Sequence, residues 1–263
     1  MRTVLRLGVF LAVLSNVSAP VAHAIVLRDD VQPTTSDAFA EVMGEHETAF
    51  LVDRAHAGRA HNVALAASLL DGVVLAPGAE LSFNDRVGPR TLEAGFREAP
   101  ELHDGHLHEG VGGGVCQVAT TLHIASLRAG LEIVEHRAHS IPLSYAPAGL
   151  DATVSYGRID FRVRNPFAHA VRVRAVAVEG ELVVRIEGAQ AHAPADVEAT
   201  VVRTIERNET RVVDATLASG ARVVEDRGRD GVVVRVRATS ADGTRVERTV
   251  RYGASSRVVR VGA

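Results

Sequence analysis

An α+β fold, two helices with a mostly antiparallel sheet followed by a small all-β module, is predicted by three observations. Apolar residues recur at helical spacing in two segments of the first half. Two-residue alternation, often of Arg with Val, takes over after residue 130. Glycine-centred breaks then divide the C-terminal stretch into short alternating runs with no helical period. Helices first and strands second is the order of an α+β domain, not of repeating βαβ units.

The elements follow in order. Residues 25–49 are mixed and polar, with Pro33-Thr34-Thr35-Ser36, and read as an extended lead-in. Val52, Ala55, Val63, Ala66, Ala67 and Leu70 mark an amphipathic helix ending near Asp71-Gly72, which should pack on a sheet. Leu81-Ser82-Phe83-Asn84 reads as a short strand after the turn Ala76-Pro77-Gly78. Asp104-Gly105, between Glu101 and His108, signals a hairpin. Gly112-Gly113-Gly114 opens a second helix whose apolar face is Val118, Leu122, Ala125 and Ala129, with Gly130 as its end. Strands are expected at 131–135, 141–145, 152–156, 159–164, 170–178 and 181–186. The organisation is a main domain at 50–190, a linker at 191–198 and a β module at 199–263 broken near Gly220, Gly228 to Gly231, and Gly243.

Residues 1–24 have the layout of a secretory signal peptide: Arg2 and Arg6, the apolar run Leu7 to Leu14, then Ala22-His23-Ala24. The apolar run is far shorter than the roughly 20 residues that span a bilayer, so no transmembrane segment is expected after cleavage, and the protein reads as secreted, periplasmic or cell-envelope. All 29 basic residues are arginine and are interspersed with acids, which disfavours a nucleic-acid partner. One cysteine allows no internal disulfide, so Cys116 is either buried and inert or a thiol kept for use.

Cys116 falls in the first turn of the second helix, where free N–H groups and the helix dipole favour negative charge, the state in which sulfur attacks carbon. Gly113 and Gly114 allow a substrate close to it. Such a nucleophile needs a base and a group that orients the base; His139 and Asp151 follow on neighbouring predicted strands. The order Cys, His, Asp, with the thiol at a helix start, is that of papain-like and transglutaminase-like folds. Taken singly, each residue is equally at home in a structural role: a buried cysteine, or turn and capping residues. His103, His106 and His108 with Asp104 are metal-ligand types, but they straddle the hairpin and read as exposed side chains, so no metal is predicted. No phosphate loop or dinucleotide fingerprint occurs, and no cofactor is expected.

Arg59-Ala60-His61-Asn62-Val63, Pro77 to Asn84, Val87-Gly88-Pro89-Arg90-Thr91, Gly95-Phe96, Gly112 to Gln117, His139-Ser140-Ile141-Pro142 and Gly149 to Val154 together resemble the VanW family, vancomycin B-type resistance protein-like, over roughly residues 50 to 190. The tail, with Gly220, Gly228, Gly231, Gly243, Gly262 and Tyr252, resembles a five-glycine (G-five) domain. The resemblance implies a cell-wall setting, with peptidoglycan or a cell-wall peptide as partner, and leaves the reaction open. One expectation is a cysteine-dependent amidase or transpeptidase with Cys116, His139 and Asp151 catalytic and Gly113, Gly114, Gln117 and Arg137 binding substrate. In that scheme the N–H groups of Cys116 and Gln117 form the oxyanion site, and Arg158 is a second candidate for a substrate carboxylate. The alternative is a non-catalytic peptidoglycan-binding protein in which Cys116 is structural.

Overall fold

The computed structural model describes residues 37–103, 106–190 and 193–263. The signal-peptide segment and most of the lead-in lie outside the described residues. Strand β1 (Glu41–Ala49) leads through a turn at Asp53 into helix α1 (Ala57–Leu70). Two short strands, β2 (Val74–Leu75) and β3 (Glu80–Ser82), precede the five-residue helix α2 (Phe83–Val87). Next come the hairpin β4 (Glu98–His103) and β5 (His106–Val111), helix α3 (Val115–Ala129) and β6 (Glu132–Glu135). After an irregular segment, 136–161, the chain forms β7 (Arg162–Arg164), β8 (Val171–Val178) and β9 (Glu181–Gly188). Six strands complete it: β10 (Asp196–Ile205), β11 (Glu209–Asp214), β12 (Arg222–Asp226), β13 (Gly231–Thr239), β14 (Arg245–Tyr252) and β15 (Arg257–Gly262).

The strands make a four-stranded sheet β1-β9-β8-β2, three-stranded sheets β3-β7-β6, β10-β13-β14 and β11-β15-β12, and the β4-β5 hairpin. Every strand pair is antiparallel except β11 with β15. The mixed α+β class with a β-rich C-terminal part therefore holds. The predicted breaks near Gly220 and Gly243 are loops, and the one at Gly228 to Gly231 is a loop that ends where Gly231 opens β13.

Helix α3 organises the packing. Thirteen of its fifteen residues are buried, the pattern of a core helix instead of a surface one. Val115, Val118, Ala119, Leu122, Ala125 and Ala129 enter a core with α1 and strands β8 and β9. Ile124 and Leu127, on another side, enter a second core with Leu150 and with Val234, Val236, Ala238, Val250 and Tyr252 of β13 and β14. The C-terminal strands thus pack on the same helix that carries Cys116 at its start.

Three expectations differ in instructive ways. The lead-in contains a nine-residue strand, β1, hidden because only Met43, Gly44 and Thr48 of its residues are buried while the rest carry mostly polar side chains. The run from Phe83 is a helix, since the Ser82 hydroxyl accepts from the Asp85 N–H at 3.0 Å and caps it. Residues 141–145 and 152–156 form no strands. Pro142, Pro147, Gly149 and Gly157 interrupt them, and side chains of α3 satisfy their backbone: the Ala152 N–H donates to Thr120 Oγ1 at 2.9 Å, and His123 Nδ1 bonds the Leu150 carbonyl at 2.7 Å.

Because the two cores share α3, Leu122→Ala and Ile124→Ala, one in each core, should each cost about 2–4 kcal/mol and lower one common thermal transition. Calorimetry checks this; two transitions shifting independently would contradict a shared unit.

Candidate active site

The irregular segment 136–161 brings His139 and Asp151 to the start of α3. Asp151 is 1 % exposed and His139 8 %. Asp151 Oδ2 accepts two hydrogen bonds from one residue, the His139 backbone N–H and ring Nδ1, both at 2.7 Å. Its other oxygen, Oδ1, accepts from the Tyr252 hydroxyl. The same ring lies within electrostatic reach of Cys116. Cys116 Sγ further contacts the Val154 carbonyl at 3.5 Å. His139 and Asp151 are therefore joined by hydrogen bonds, and Cys116, at the start of α3, acts electrostatically on the same imidazole.

Burial pushes the His139 imidazole towards the neutral form, but its hydrogen bond to Asp151 and the electrostatic influence of Cys116 and Asp151 outweigh this and raise its pKa to about 9. For Asp151, burial favours the protonated acid, and hydrogen bonds from His139 and Tyr252 overcome this, leaving its pKa below the ordinary value. The neighbouring histidines go the other way. Burial, reinforced by Arg248, lowers His136 to about 4, and burial with nearby His136 and Arg248 lowers His123 well below its usual range. Neutral His136 donates through Nε2 to the Asp151 carbonyl at 2.8 Å, which fixes the backbone that carries the carboxylate.

Two arginines stand against the thiol. The stem of Arg59, from α1, lies on Gly114, where a Cβ would meet its Cγ at 3.1 Å; the stem of Arg90 lies on Gly112, where a Cβ would meet its Cβ at 2.8 Å. Both glycines have φ of +107°, which other residues resist. The glycine run is thus a bed for arginine stems as well as a helix start. Arg59 Nη2 donates to Gln117 Oε1 at 2.7 Å, and its guanidinium lies 6.0 Å from the Tyr145 ring. Arg90 Nη1 donates to the Gly88 carbonyl at 2.7 Å, while its buried Nη2 has no hydrogen-bond partner among the described residues. Burial lowers the pKa of each guanidinium, and the charge of Cys116 acts on both in the opposite direction. Neither forms a salt bridge among the described residues.

The other sequence-predicted residues are placed as follows. Gln117 is 1 % exposed; beyond Arg59 its amide donates to Thr48 Oγ1 and the Ala49 carbonyl, both at 2.9 Å, so it orients Arg59. Its backbone N–H donates to the Gly114 carbonyl at 3.0 Å and is not available as an oxyanion donor. Gly113 is held by Asn62 Nδ2 on its carbonyl at 3.0 Å, and Gly114 is the N-cap of α3. Arg137 is exposed, and its carbonyl accepts from the Thr153 N–H at 2.7 Å. Arg158 is exposed in the turn between Ser155 and Ile159. His108 is exposed, whereas Asp104 and the side chains of His103 and His106 lie outside the described residues.

Arg59, Arg90, Tyr145 and Tyr252 were not foreseen in the site. Arg59 and Arg90 stand in the short motifs that carry the family resemblance, which was the available signal. Nothing in the sequence ties Tyr252 to Asp151.

The pH dependence of the pair follows from the direction of the His139 shift. A folded pKa raised from 6.5 to about 9 gives stability that is fully present below 6.5 and is lost as pH rises through 9. The melting temperature of the wild type should therefore exceed that of His139→Gln by several degrees at pH 6, with the gap closing above pH 9. A gap independent of pH would show that the imidazolium–carboxylate pair is not formed.

Residues 58–187 match the family described as VanW like protein. Among curated relatives, "Uncharacterized protein YoaR" of Bacillus subtilis (strain 168) is 40% identical over 144 residues, 55% of this chain and 47% of the relative. "Vancomycin B-type resistance protein VanW" of Enterococcus faecalis (strain ATCC 700802 / V583) is 33% identical over 109 residues, 40% of each chain. The chain thus spans less than half the length of the curated relatives it matches. Of solved structures, "Crystal structure of HP0197-G5" is similar at 19% identity over 26% of this chain and 97% of that one, with a TM-score of 0.18, a likeness that carries no argument. Cys116, His139, Asp151, Arg59 and Arg90 all fall within the matched stretch, and Tyr252 lies beyond it. Residues 58–187 are accordingly a VanW-like domain, and both curated relatives support its assignment to the VanW family.

Proposed function

We propose that this protein is an exported cell-wall enzyme that uses Cys116 as nucleophile on an amide of a peptidoglycan peptide, as a hydrolase or a transpeptidase. The observation that carries the reading is the hydrogen-bonded His139–Asp151 pair held within electrostatic reach of Cys116 at the start of α3. Its parts correspond to the nucleophile, the base and the orienting carboxylate of thiol acyl transfer, the arrangement of papain-like folds.

The steps follow from the geometry. In the attacking state the thiol proton resides on His139, in keeping with its raised pKa, and the sulfur forms a bond to the amide carbon as the carbonyl electron pair moves to oxygen. The N–H of Cys116, which has no backbone acceptor among the described residues, lies in the first turn of α3 and would stabilise that oxyanion. The tetrahedral adduct collapses, the C–N bond breaks, and the leaving amine takes the proton from His139. A thioester on Cys116 remains. Water then gives hydrolysis, or a second peptide's amine gives transpeptidation, each losing its proton to His139 and returning the thiol. Asp151 keeps the ring in the orientation both halves need.

Arg59 and Arg90, whose stems lie on the glycines at the start of α3 and which form no salt bridge among the described residues, would hold a substrate carboxylate close to the scissile amide. Peptidoglycan stem peptides carry such carboxylates. A second reading, wall binding with a structural thiol, draws support from the packing of Cys116 against the apolar core and its contact with Val154.

Incubation of the protein with purified muropeptides, followed by chromatography and mass spectrometry, separates the two. The enzyme reading expects shortened or cross-linked peptides with wild type, loss of at least 1,000-fold in rate for Cys116→Ala, and a fall of about tenfold or more for Arg59→Lys or Arg90→Lys through KM, because lysine lacks the bidentate fork. Retention on isolated sacculi with an unchanged muropeptide profile, equal for wild type and Cys116→Ala, would establish the binding reading instead.

A further inference from the structure

The C-terminal strands lie outside the VanW-like match, yet one of them reaches the site. Tyr252, the last residue of β14, is fully buried. Its hydroxyl donates to Asp151 Oδ1 and accepts from the Gly149 N–H at 2.5 Å. One phenol therefore fixes both the carboxylate and the backbone two residues before it. Arg248, earlier on the same strand, adds two contacts: Nη2 donates to His123 Nε2 at 2.6 Å and approaches the Gly149 carbonyl at 3.4 Å. His123 in turn bonds the Leu150 carbonyl and stacks on His136, with ring centroids 4.4 Å apart, and His136 holds the Asp151 carbonyl. Residues 149, 150 and 151 are thus each held by a side chain that β14 supplies or touches.

The packing leaves no room for a side chain at Gly149. A Cβ at Gly149 would lie 2.8 Å from Val236 Cγ2 and 2.9 Å from Val234 Cγ1, so β13 presses directly on the residue that Tyr252 bonds. Val234, Val236, Val250 and Tyr252 share one core with Leu150 and Ile124.

We propose that Tyr252 is a positioning residue of the Cys116–His139–Asp151 site, so that the C-terminal strands complete the active site of the VanW-like domain. The proposal rests on the reading of that array as catalytic. In chemical terms, Asp151 has two oxygens. Oδ2 holds the imidazole twice, and Oδ1 would be a buried, unmatched acceptor without the phenol. The Tyr252 O–H fixes the rotation of the carboxylate and draws off part of its charge, which sets how strongly His139 is held. The charged and titratable groups that act on Asp151 and His139 are Cys116 from α3, His136 and Tyr145 from the irregular segment, and Arg248 and Tyr252 from β14.

Tyr252→Phe in the full-length protein tests this, with Val250→Ala as control because it removes packing from the same strand and core without touching Asp151. Two readouts are taken: the pH profile of Cys116 alkylation by iodoacetamide, and muropeptide turnover. Tyr252→Phe is expected to move the alkylation profile by half a pH unit or more and to lower kcat about tenfold with KM little changed, consistent with loss of one hydrogen bond to a buried charge. Val250→Ala is expected to lower the melting temperature and leave the profile in place. A wild-type profile and kcat in Tyr252→Phe, or an equal displacement in Val250→Ala, would overturn the positioning role. The alkylation profile needs no substrate, so it decides the role of Tyr252 even if wild-type protein turns over no muropeptide, the result that would sink the enzymatic reading itself.

Discussion

The structure depends on one buried carboxylate. Asp151 lies almost wholly out of water, where an unmatched negative charge would cost several kcal/mol. It is kept charged by three donors drawn from two distant parts of the chain: the N–H and ring of His139, and the hydroxyl of Tyr252. Each donor constrains an element. The first two fold the segment from His136 onward back over α3, and the third brings β14 against Gly149. The irregularity of residues 136–161 is a consequence, since a paired strand would aim these backbone groups at a neighbouring strand and away from Thr120, His123 and Asp151.

Helix α3 carries the other half of the arrangement. Its buried length joins two cores, and its glycine-rich start accepts the stems of Arg59 and Arg90 where any Cβ would exclude them. Gln117 binds Arg59, Thr48 and Ala49 at once, so the residue after the thiol ties α1 and β1 to the site. Asn62 does the same from α1: it grips the Gly113 carbonyl, and it exchanges hydrogen bonds with the backbone of Arg97. Positive charge, a thiol and a fixed imidazole consequently meet at one helix end. The chemistry proposed for them uses no group beyond those present.

Much of this was legible from residue order. The α3 helix, the pairing of β4 with β5, β8, β9 and the strand-rich tail follow from periodicity and turn residues. The order Cys116, His139, Asp151, with the thiol at a helix start, suggests the trio, and of its contacts the His139–Asp151 hydrogen bonds are present in the structure. What escaped has identifiable causes. β1 has few buried positions, so alternation is faint. Ser82 converts an apparent strand into a capped helix by one hydroxyl. Gln117, next to the thiol, looks like a substrate contact in sequence and is a buried bracket in space. Tyr252 lies 101 residues from its partner, and no local pattern encodes a phenol–carboxylate contact at that distance.

The central claim, that Cys116 is a nucleophile organised by His139 and Asp151, is tested most directly by intact-mass spectrometry of protein quenched within milliseconds of mixing with muropeptide. The account predicts a covalent adduct equal to the acyl part of the peptide, located on Cys116, labile to hydroxylamine as a thioester, and absent from Cys116→Ala. Muropeptide turnover with no adduct, or an adduct on any other residue, would contradict it.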